Sequence, residues 1–482
     1  MESKKIVSSL AFKFTEQILA KVIGLVISIL LARLLAPDDF GQVAIITVFI
    51  NLSQTVIEGG FNRALVQTKE LNKADYSTVF YISMAIAILM VLIIYFCAPV
   101  IGQFYDSVSL VAPLRFYALS LIFGAFNSIQ TAKLQREMRF KATMLARLIA
   151  TILSGAVGVA LAYAGFGIWA LVIYNFSFIF LSCITMFIAC RWLPNTRFSK
   201  DSAKRLFGFG WKILVSSLLC SLYNDVRSLV IGKKYSTEDL GYYNRGEQFP
   251  SIISMTLDTA IQSVMLPSMS SVQDKKDEFR ALLKKAITFG GFLIIPLMVG
   301  LAIVSEPVIR ILLTDKWLPA VPFMQFICLG NITVSLRSSN LVAIMAIGKS
   351  GLYMKLEIIR RIVMLIILVI TVFAFNSIMA IVIGYVVSSI VDMVIILVPT
   401  KKLFGYGLLD QIKDLWKILL SSFIMACATY AISFIGLSIW LELIVQIVVA
   451  FAVYFVACYL LKEKSLFLIK KIVQKFFRKK KA

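Results

Sequence analysis

Residues 37–62 read PDDFGQVAIITVFINLSQTVIEGGFN, and residues 237–262 read TEDLGYYNRGEQFPSIISMTLDTAIQ. In the first stretch Thr47, Asn51, Gln54, Glu58 and Asn62 recur at steps of 4, 3, 4 and 4, which stacks them along one face of an α-helix. In the second, Ser251, Ser254, Asp258 and Gln262 form the same stripe, 200 residues after Asn51, Gln54, Glu58 and Asn62 position for position. The segments just upstream keep that offset, with Gln17, Lys21, Gly24 and Ser28 answering to Ser217, Ser221, Asn224 and Ser228. The connectors agree as well: Leu31-Ala32-Arg33 followed by Asp38-Asp39-Phe40-Gly41 aligns with Ile231-Gly232-Lys233 followed by Glu238-Asp239-Leu240-Gly241. Hydropathy, polar stripe and turn chemistry coincide without a gap, so the chain reads as an internal repeat.

The setting of the repeat is a bilayer. Of the 482 residues 60% are hydrophobic and only 16% charged, and the mean hydropathy is +0.88, values outside the range of a water-soluble chain of this size. A hydrocarbon core of roughly 30 Å needs about 20 mostly apolar residues per helix. Such runs fall near 9–33, 40–66, 77–99, 111–131, 143–164, 167–190, 207–231, 246–270, 284–306, 320–346, 354–375, 378–400, 415–435 and 438–461. They are too long, and too little alternating, for barrel strands of roughly 10 residues. The expected fold class is therefore an all-α polytopic membrane protein with about fourteen transmembrane helices.

Orientation follows from the connectors. Assigned to alternate sides, they carry 36 Lys and Arg on one side and 7 on the other. The rich side includes Lys133, Arg136, Arg139 and Lys141, the group Lys349, Lys355, Arg360 and Arg361, and the tail Lys462 to Lys481; the poor side includes Arg33, Arg115 and Lys233. Positive charge stays inside, so both termini are expected to be cytoplasmic, which requires an even number of spans. The formal charge of +23 then reads as topology and attraction to anionic lipid rather than nucleic-acid binding.

Six spans separate the two copies of the repeat, so both cross the membrane in the same sense, as two parallel six-helix lobes. The expected boundaries are residues 1–200 and 201–405 for the lobes, 406–465 for spans 13 and 14, and 466–482 for the basic tail. Polar stripes on spans 1, 2, 7 and 8 are expected to face a hydrophilic central cavity. Gly290-Gly291 and Pro296 interrupt span 9 and Pro250 and Pro267 bracket span 8, positions at which the helices are expected to bend.

Several chemistries are excluded. The chain has no histidine, which removes Ser-His-Asp and Cys-His catalysis and His-ligated zinc. Its cysteines (97, 183, 190, 220, 328, 427 and 458) fall in or beside apolar spans without metal-ligand spacing and read as small core residues, so no metal site and no disulfide is expected. There is no phosphate-binding glycine loop, no dinucleotide fingerprint and no connector long enough to hold a catalytic domain, so no cofactor and no enzyme activity is expected. The first apolar run carries Lys13, Glu16 and Lys21 and is long enough to span, which argues against a cleavable signal peptide.

The stretch Ala32-Arg33-Leu34-Leu35-Ala36-Pro37-Asp38-Asp39-Phe40-Gly41, followed by Glu58-Gly59-Gly60-Phe61-Asn62-Arg63-Ala64-Leu65-Val66-Gln67, resembles the Wzx-type polysaccharide flippases. These belong to the superfamily of multidrug, oligosaccharidyl-lipid and polysaccharide exporters. The resemblance implies two six-helix lobes, additional C-terminal spans and export of undecaprenyl-diphosphate-linked sugar repeat units across the bacterial inner membrane. The second half keeps the connector only in part, as Gly232-Lys233-Lys234-Tyr235-Ser236-Thr237-Glu238-Asp239-Leu240-Gly241.

A diphosphate headgroup cannot enter hydrocarbon without cations to meet it. The deepest candidates are Lys21, Arg147, Arg227 and Arg337, with Asn51, Gln54 and Asn224 as neutral polar contacts. Arg147 lies close enough to the basic connector to snorkel, and Arg227 has Asp225 available as a partner. The acids Glu16, Glu58, Asp225, Asp258 and Asp392 are candidates for proton or sodium coupling, with Glu58 and Asp258 preferred because they occupy equivalent repeat positions. Two rival readings are a cation-coupled multidrug or small-molecule antiporter and, from another class, a membrane glycosyltransferase or polysaccharide polymerase.

Overall fold

The computed structural model describes residues 19, 21–68, 71–194 and 198–466, which are helical with no strand among them. In the first part of the chain the helices are α1 (21–34), α2 (Pro37–Glu58), α3 (Phe61–Gln67), α4 (Lys73–Phe104), α5 (Val111–Ala118), α6 (Ser120–Arg136), α7 (Phe140–Tyr163), α8 (Ile168–Cys190) and α9 (Lys200–Lys234). Then come α10 (Thr237–Ser270), α11 (Lys276–Ile303), α12 (Ser305–Leu313), α13 (Ala320–Asn331), α14 (Val334–Ala346), α15 (Ser350–Ala374), α16 (Ile378–Phe404), α17 (Leu408–Ile432) and α18 (Ile439–Leu460). Among the described residues, eleven helical stretches are long and apolar enough to cross a bilayer. The other three expected spans fall on α1, α10 and α15. The first part of span 1 lies outside the described residues; α10 carries Glu238, Asp239, Arg245, Glu247 and Asp258, and α15 carries Lys355, Glu357, Arg360 and Arg361. Both helices have the length to span, and their charges lower their apolarity.

The repeat is visible in the helix boundaries. Pro37 and Thr237 begin α2 and α10, 200 residues apart, whereas Phe140 and Ser350 begin α7 and α15, and Ile168 and Ile378 begin α8 and α16, each 210 apart. The offset grows where the second half carries an additional short amphipathic helix, α12. Spans 4 and 10 are both split into two helices, α5–α6 and α13–α14.

The chain forms two compact units, Met1–Gly241 and Tyr242–Ala482. In the first, Phe61, Leu65, Val79, Ile129, Met186 and Leu206 gather α3, α4, α6, α8 and the start of α9 into one apolar core, and α9 also packs along α2. In the second, α11 is the central helix, with Phe279, Leu283 and Phe292 packed among Leu336 of α14, Leu415, Ile418 and Met425 of α17 and Tyr454 of α18. A reciprocal amide pair between fully buried side chains, Asn340 of α14 and Gln411 of α17, adds hydrogen bonds of 3.0 and 3.1 Å.

Helix prolines are accommodated without ending the helices. Pro99, Pro250, Pro267 and Pro296 all lie inside helices, so Gly290-Gly291 and Pro296 do not interrupt α11, and Pro250 and Pro267 do not bracket α10 but sit within it. A proline lacks the N–H that its helix would send to the carbonyl four residues back, and that carbonyl needs another donor in a membrane. Behind Pro296 the freed carbonyl of Phe292 accepts the Tyr454 hydroxyl of α18 at 2.8 Å. Behind Pro99 the carbonyl of Tyr95 accepts Arg115 Nε at 3.0 Å, and the guanidinium lies 4.3 Å from the Tyr95 ring centre. Of the seven cysteines, all free thiols, Cys183, Cys190, Cys328 and Cys458 are buried as expected, but Cys97, Cys220 and Cys427 are exposed; an outer helix face accepts a small side chain as readily as a core does.

Candidate functional site

Side chains distant in sequence meet around two polar cavities. The first joins the two repeated connectors. Asp39 takes the Ala36 N–H at 3.1 Å at the start of α2, and Ser236 and Asp239 cap α10 reciprocally, each bond 2.9 Å. The two capped helix starts then cross at their glycines. A Cβ on Gly41 would stand 1.6 Å from the Thr237 carbonyl oxygen, and one on Gly241 would stand 2.1 Å from the Pro37 carbonyl oxygen. Pro37 is to Gly241 what Thr237 is to Gly41, so the contact is reciprocal about a local two-fold axis, a geometry that needs equivalent segments on both sides. Only glycine permits the approach.

Polar side chains surround this crossing. The Thr237 hydroxyl donates to Asp38, Gln42 donates to Asp38 at 2.6 Å, and Ser109 donates to Gln42 at 2.9 Å. Lys233 pairs with Asp106 at 2.8 Å. These side chains, with Tyr105, line a cavity of about 480 Å³, and burial pushes the Tyr105 phenol up to about 12. At the far end of α2, Gly59 and Gly60 adopt φ of 52° and 72°, the left-handed conformation that separates α2 from α3. There Gly210 of α9 packs so closely that a Cβ on Gly60 would lie 2.3 Å from its carbonyl oxygen.

The second place is an ion cluster inside the second unit. Arg337 of α14 donates to Asp392 of α16 at 2.7 Å. Arg360 of α15 grips the same carboxylate through two nitrogens, one of them at 2.8 Å, and also contacts Glu357; Arg361 reaches Glu357 at 3.4 Å. Side chains of Arg337, Arg360 and Asp392 are only 18%, 15% and 14% exposed. Asp258 of α10 receives Gln262 at 2.7 Å and lies beside Arg337 and Ser338. Asp258, Gln262, Arg337, Ser338, Tyr353 and Arg360 are among the residues lining a cavity of about 260 Å³. Such an array can bind an oxyanion through two guanidinium forks, which match carboxylate and phosphate oxygens alike.

The expected site residues are distributed as follows. Asp258, Arg337 and Asp392 come together in this cluster. Gln54 donates to Glu58 at 3.1 Å, and the Thr55 hydroxyl faces Ser221 of α9 at 3.5 Å. Asn51 is exposed, with its carbonyl accepting the Thr55 hydroxyl. Lys21 on α1 and Arg147 on α7 are exposed; Asp225 and Arg227 on α9 are half-buried; and Asn224 donates to Cys220 Sγ at 3.8 Å. Glu16 and Gln17 lie outside the described residues, as does the tail from residue 467. Arg360 and Glu357 are site residues not expected from sequence, because Arg360 stands with Lys349, Lys355 and Arg361 in what reads as a basic connector. The signal was present: Arg360 stands inside the expected span 354–375, with a carboxylate one turn earlier.

The sequence profile of a polysaccharide biosynthesis protein family matches residues 30–322, more than half of the chain. The chain belongs to this family. Relatives include the succinoglycan biosynthesis transport protein ExoT of Rhizobium meliloti, 22% identical over 69% of this chain and 67% of that protein. The lipopolysaccharide biosynthesis protein WzxC of Escherichia coli is 21% identical over 70% of this chain and 69% of its own length, and it carries the Wzx name that the connector motifs suggested. Among solved structures, the lipid II flippase MurJ in an inward closed conformation shares the fold, with a TM-score of 0.75, 17% identity, and coverage of 94% of this chain and 98% of MurJ. Family and fold thus agree on a helical membrane protein of polysaccharide biosynthesis.

Proposed function

We propose that this protein moves undecaprenyl-diphosphate-linked oligosaccharide repeat units from the cytoplasmic to the outer leaflet of the bacterial inner membrane by alternating access. The observation that carries this reading is the cluster of Arg337 and Arg360 on Asp392, a phosphate-shaped set of donors set among apolar helices. The names of the family relatives support it. Guanidinium groups favour an anionic cargo over the cationic compounds a drug antiporter exports. In this scheme residues 1–200 and 201–405 are the moving lobes, 406–465 the added helical pair and both termini cytoplasmic. The Gly41–Gly241 crossing then lies at the outer face, and parting the two helix starts opens that side. Glu58 and Asp258 couple the cycle to protons or sodium.

Disruption of the gene, followed by analysis of lipid-linked intermediates, tests this directly. Diphosphate-linked repeat units should accumulate in the cytoplasmic leaflet while surface glycan falls. Failure to make the repeat unit at all would mean an enzyme; normal glycan with lost drug resistance would mean a drug antiporter. For coupling, Glu58→Gln and Asp258→Asn should each weaken the dependence of transport on the ion gradient, and unchanged dependence in both ends that part.

A further inference from the structure

We propose that Asp392 is an internal stand-in for the substrate's phosphate, occupying the arginine forks when the carrier is empty and yielding them when the headgroup arrives. The proposal rests on the lipid-linked diphosphate reading and names one device within it.

The repeat supplies the main argument. At the 210-residue offset Arg337 corresponds to Asn127 and Asp392 to Ser182, and these two also meet: Asn127 Nδ2 donates to Ser182 Oγ at 3.3 Å. The fold therefore makes the same cross-span contact in both halves, with a neutral hydrogen bond in one and an ion pair in the other. Arg360 corresponds to Ala150, so the second cation has no counterpart. A tie between helices does not need charge here, and burying ions costs more than burying an amide and a hydroxyl. Arg360 also pairs with Glu357, yet one donor of the cluster is left over. Two guanidinium groups converge on one carboxylate, and Arg337 Nε is buried without a hydrogen-bond partner. A phosphate presents a third oxygen in the same fork geometry, and the adjoining cavity of about 260 Å³ is several times the ~30 Å³ share of a water molecule. Exchange of carboxylate for phosphate lets the site load without unpairing either arginine. The reverse exchange, in which Asp392 returns to the forks, helps to expel the headgroup on the far side.

The test measures binding of geranylgeranyl diphosphate to the purified full-length protein in detergent by calorimetry. If Asp392 holds the forks nine-tenths of the time, Asp392→Asn should bind about tenfold more tightly, because the binding-competent fraction rises to one. Arg360→Gln should lose binding. The double variant Arg337→Asn with Asp392→Ser, which copies the neutral pair of the first half, should remain folded by size-exclusion chromatography yet bind at least tenfold more weakly. Unchanged or weaker binding by a folded Asp392→Asn, or undiminished binding by the double variant, overturns the stand-in while wild-type diphosphate binding leaves the carrier reading standing. Should Asp392→Asn fail to fold, the double variant decides alone. No diphosphate binding by the wild type overturns both.

Discussion

Asn127 and Ser182 in the first half, and Arg337 and Asp392 in the second, are the same joint built twice, between the fourth and sixth spans of each copy. In the first half the joint is neutral, Ser182 is buried, and the bond is long at 3.3 Å. In the second it is ionic, short at 2.7 Å, and continued through Arg360 to Glu357 and Arg361. Helices in lipid associate through packing and modest hydrogen bonds, for which the neutral version suffices. The charges of the second version are therefore an addition to the scaffold, and one that desolvation makes costly. Duplicated folds allow this division, with one copy left to hold shape and the other altered for chemistry.

The sharpest way to break the comparison is to remove one ion. Asp392→Ala takes the shared carboxylate from Arg337 and leaves Arg360 with Glu357, and is expected to destabilise the empty protein by about 3–5 kcal/mol, read as a large fall in the thermal unfolding midpoint in detergent. Replacing both ions with the neutral pair, Arg337→Asn with Asp392→Ser, is expected to restore much of that loss. If the single variant is as mild as the pair, the cluster is bathed in water and the contrast between the halves dissolves.

Where the halves agree, at the crossing of Pro37–Gly41 with Thr237–Gly241, the expectation is symmetry. Gly41→Ala and Gly241→Ala each drive a methyl group into a carbonyl oxygen, and each should cost about 1–3 kcal/mol of stability in this conformation. Unequal losses would mean that the two carbonyls are not held alike. In transport, both variants should favour the form in which the two helix starts have parted, detectable as faster labelling of a cysteine placed beside Gln42.

Much of the scaffold was legible because apolarity is a local property: a run of about 20 residues declares a span without reference to any partner. The stripes of Asn51, Gln54 and Glu58, and of Ser254, Asp258 and Gln262, were legible for the same reason, since helical spacing is local too. The crossing was not. Alignment paired Gly41 with Gly241, but a glycine touching a carbonyl leaves no side-chain pattern to say that the two meet. Arg360 was obscured because a cation near the end of a span reads equally well as a connector charge or as a site residue. The drift of the repeat from 200 to 210 residues hid the correspondence of Arg337 with Asn127. It needed the helix boundaries of α7 and α15 to become visible.

A comparable effect belongs to the proline-freed carbonyls, which differ in how each half repairs them. Tyr454→Phe removes the donor to the Phe292 carbonyl, leaves that oxygen buried behind Pro296, and should cost about 1–3 kcal/mol. Because Tyr454 lies on α18, the loss measures how firmly α18 is fastened to α11.

The smallest effect should come from Asn127→Ala. Its hydrogen bond to Ser182 is at the long end of the range, and its own Oδ1 is buried without a hydrogen-bond partner, so truncation removes an unmet acceptor along with the bond. Interhelical hydrogen bonds in membranes average about 0.6 kcal/mol, and the net change should fall at or below that. A loss several times larger would mean that the first half depends on its polar joint as much as the second depends on its ions. Charge at Arg337 and Asp392 would then serve the fold as much as the cargo.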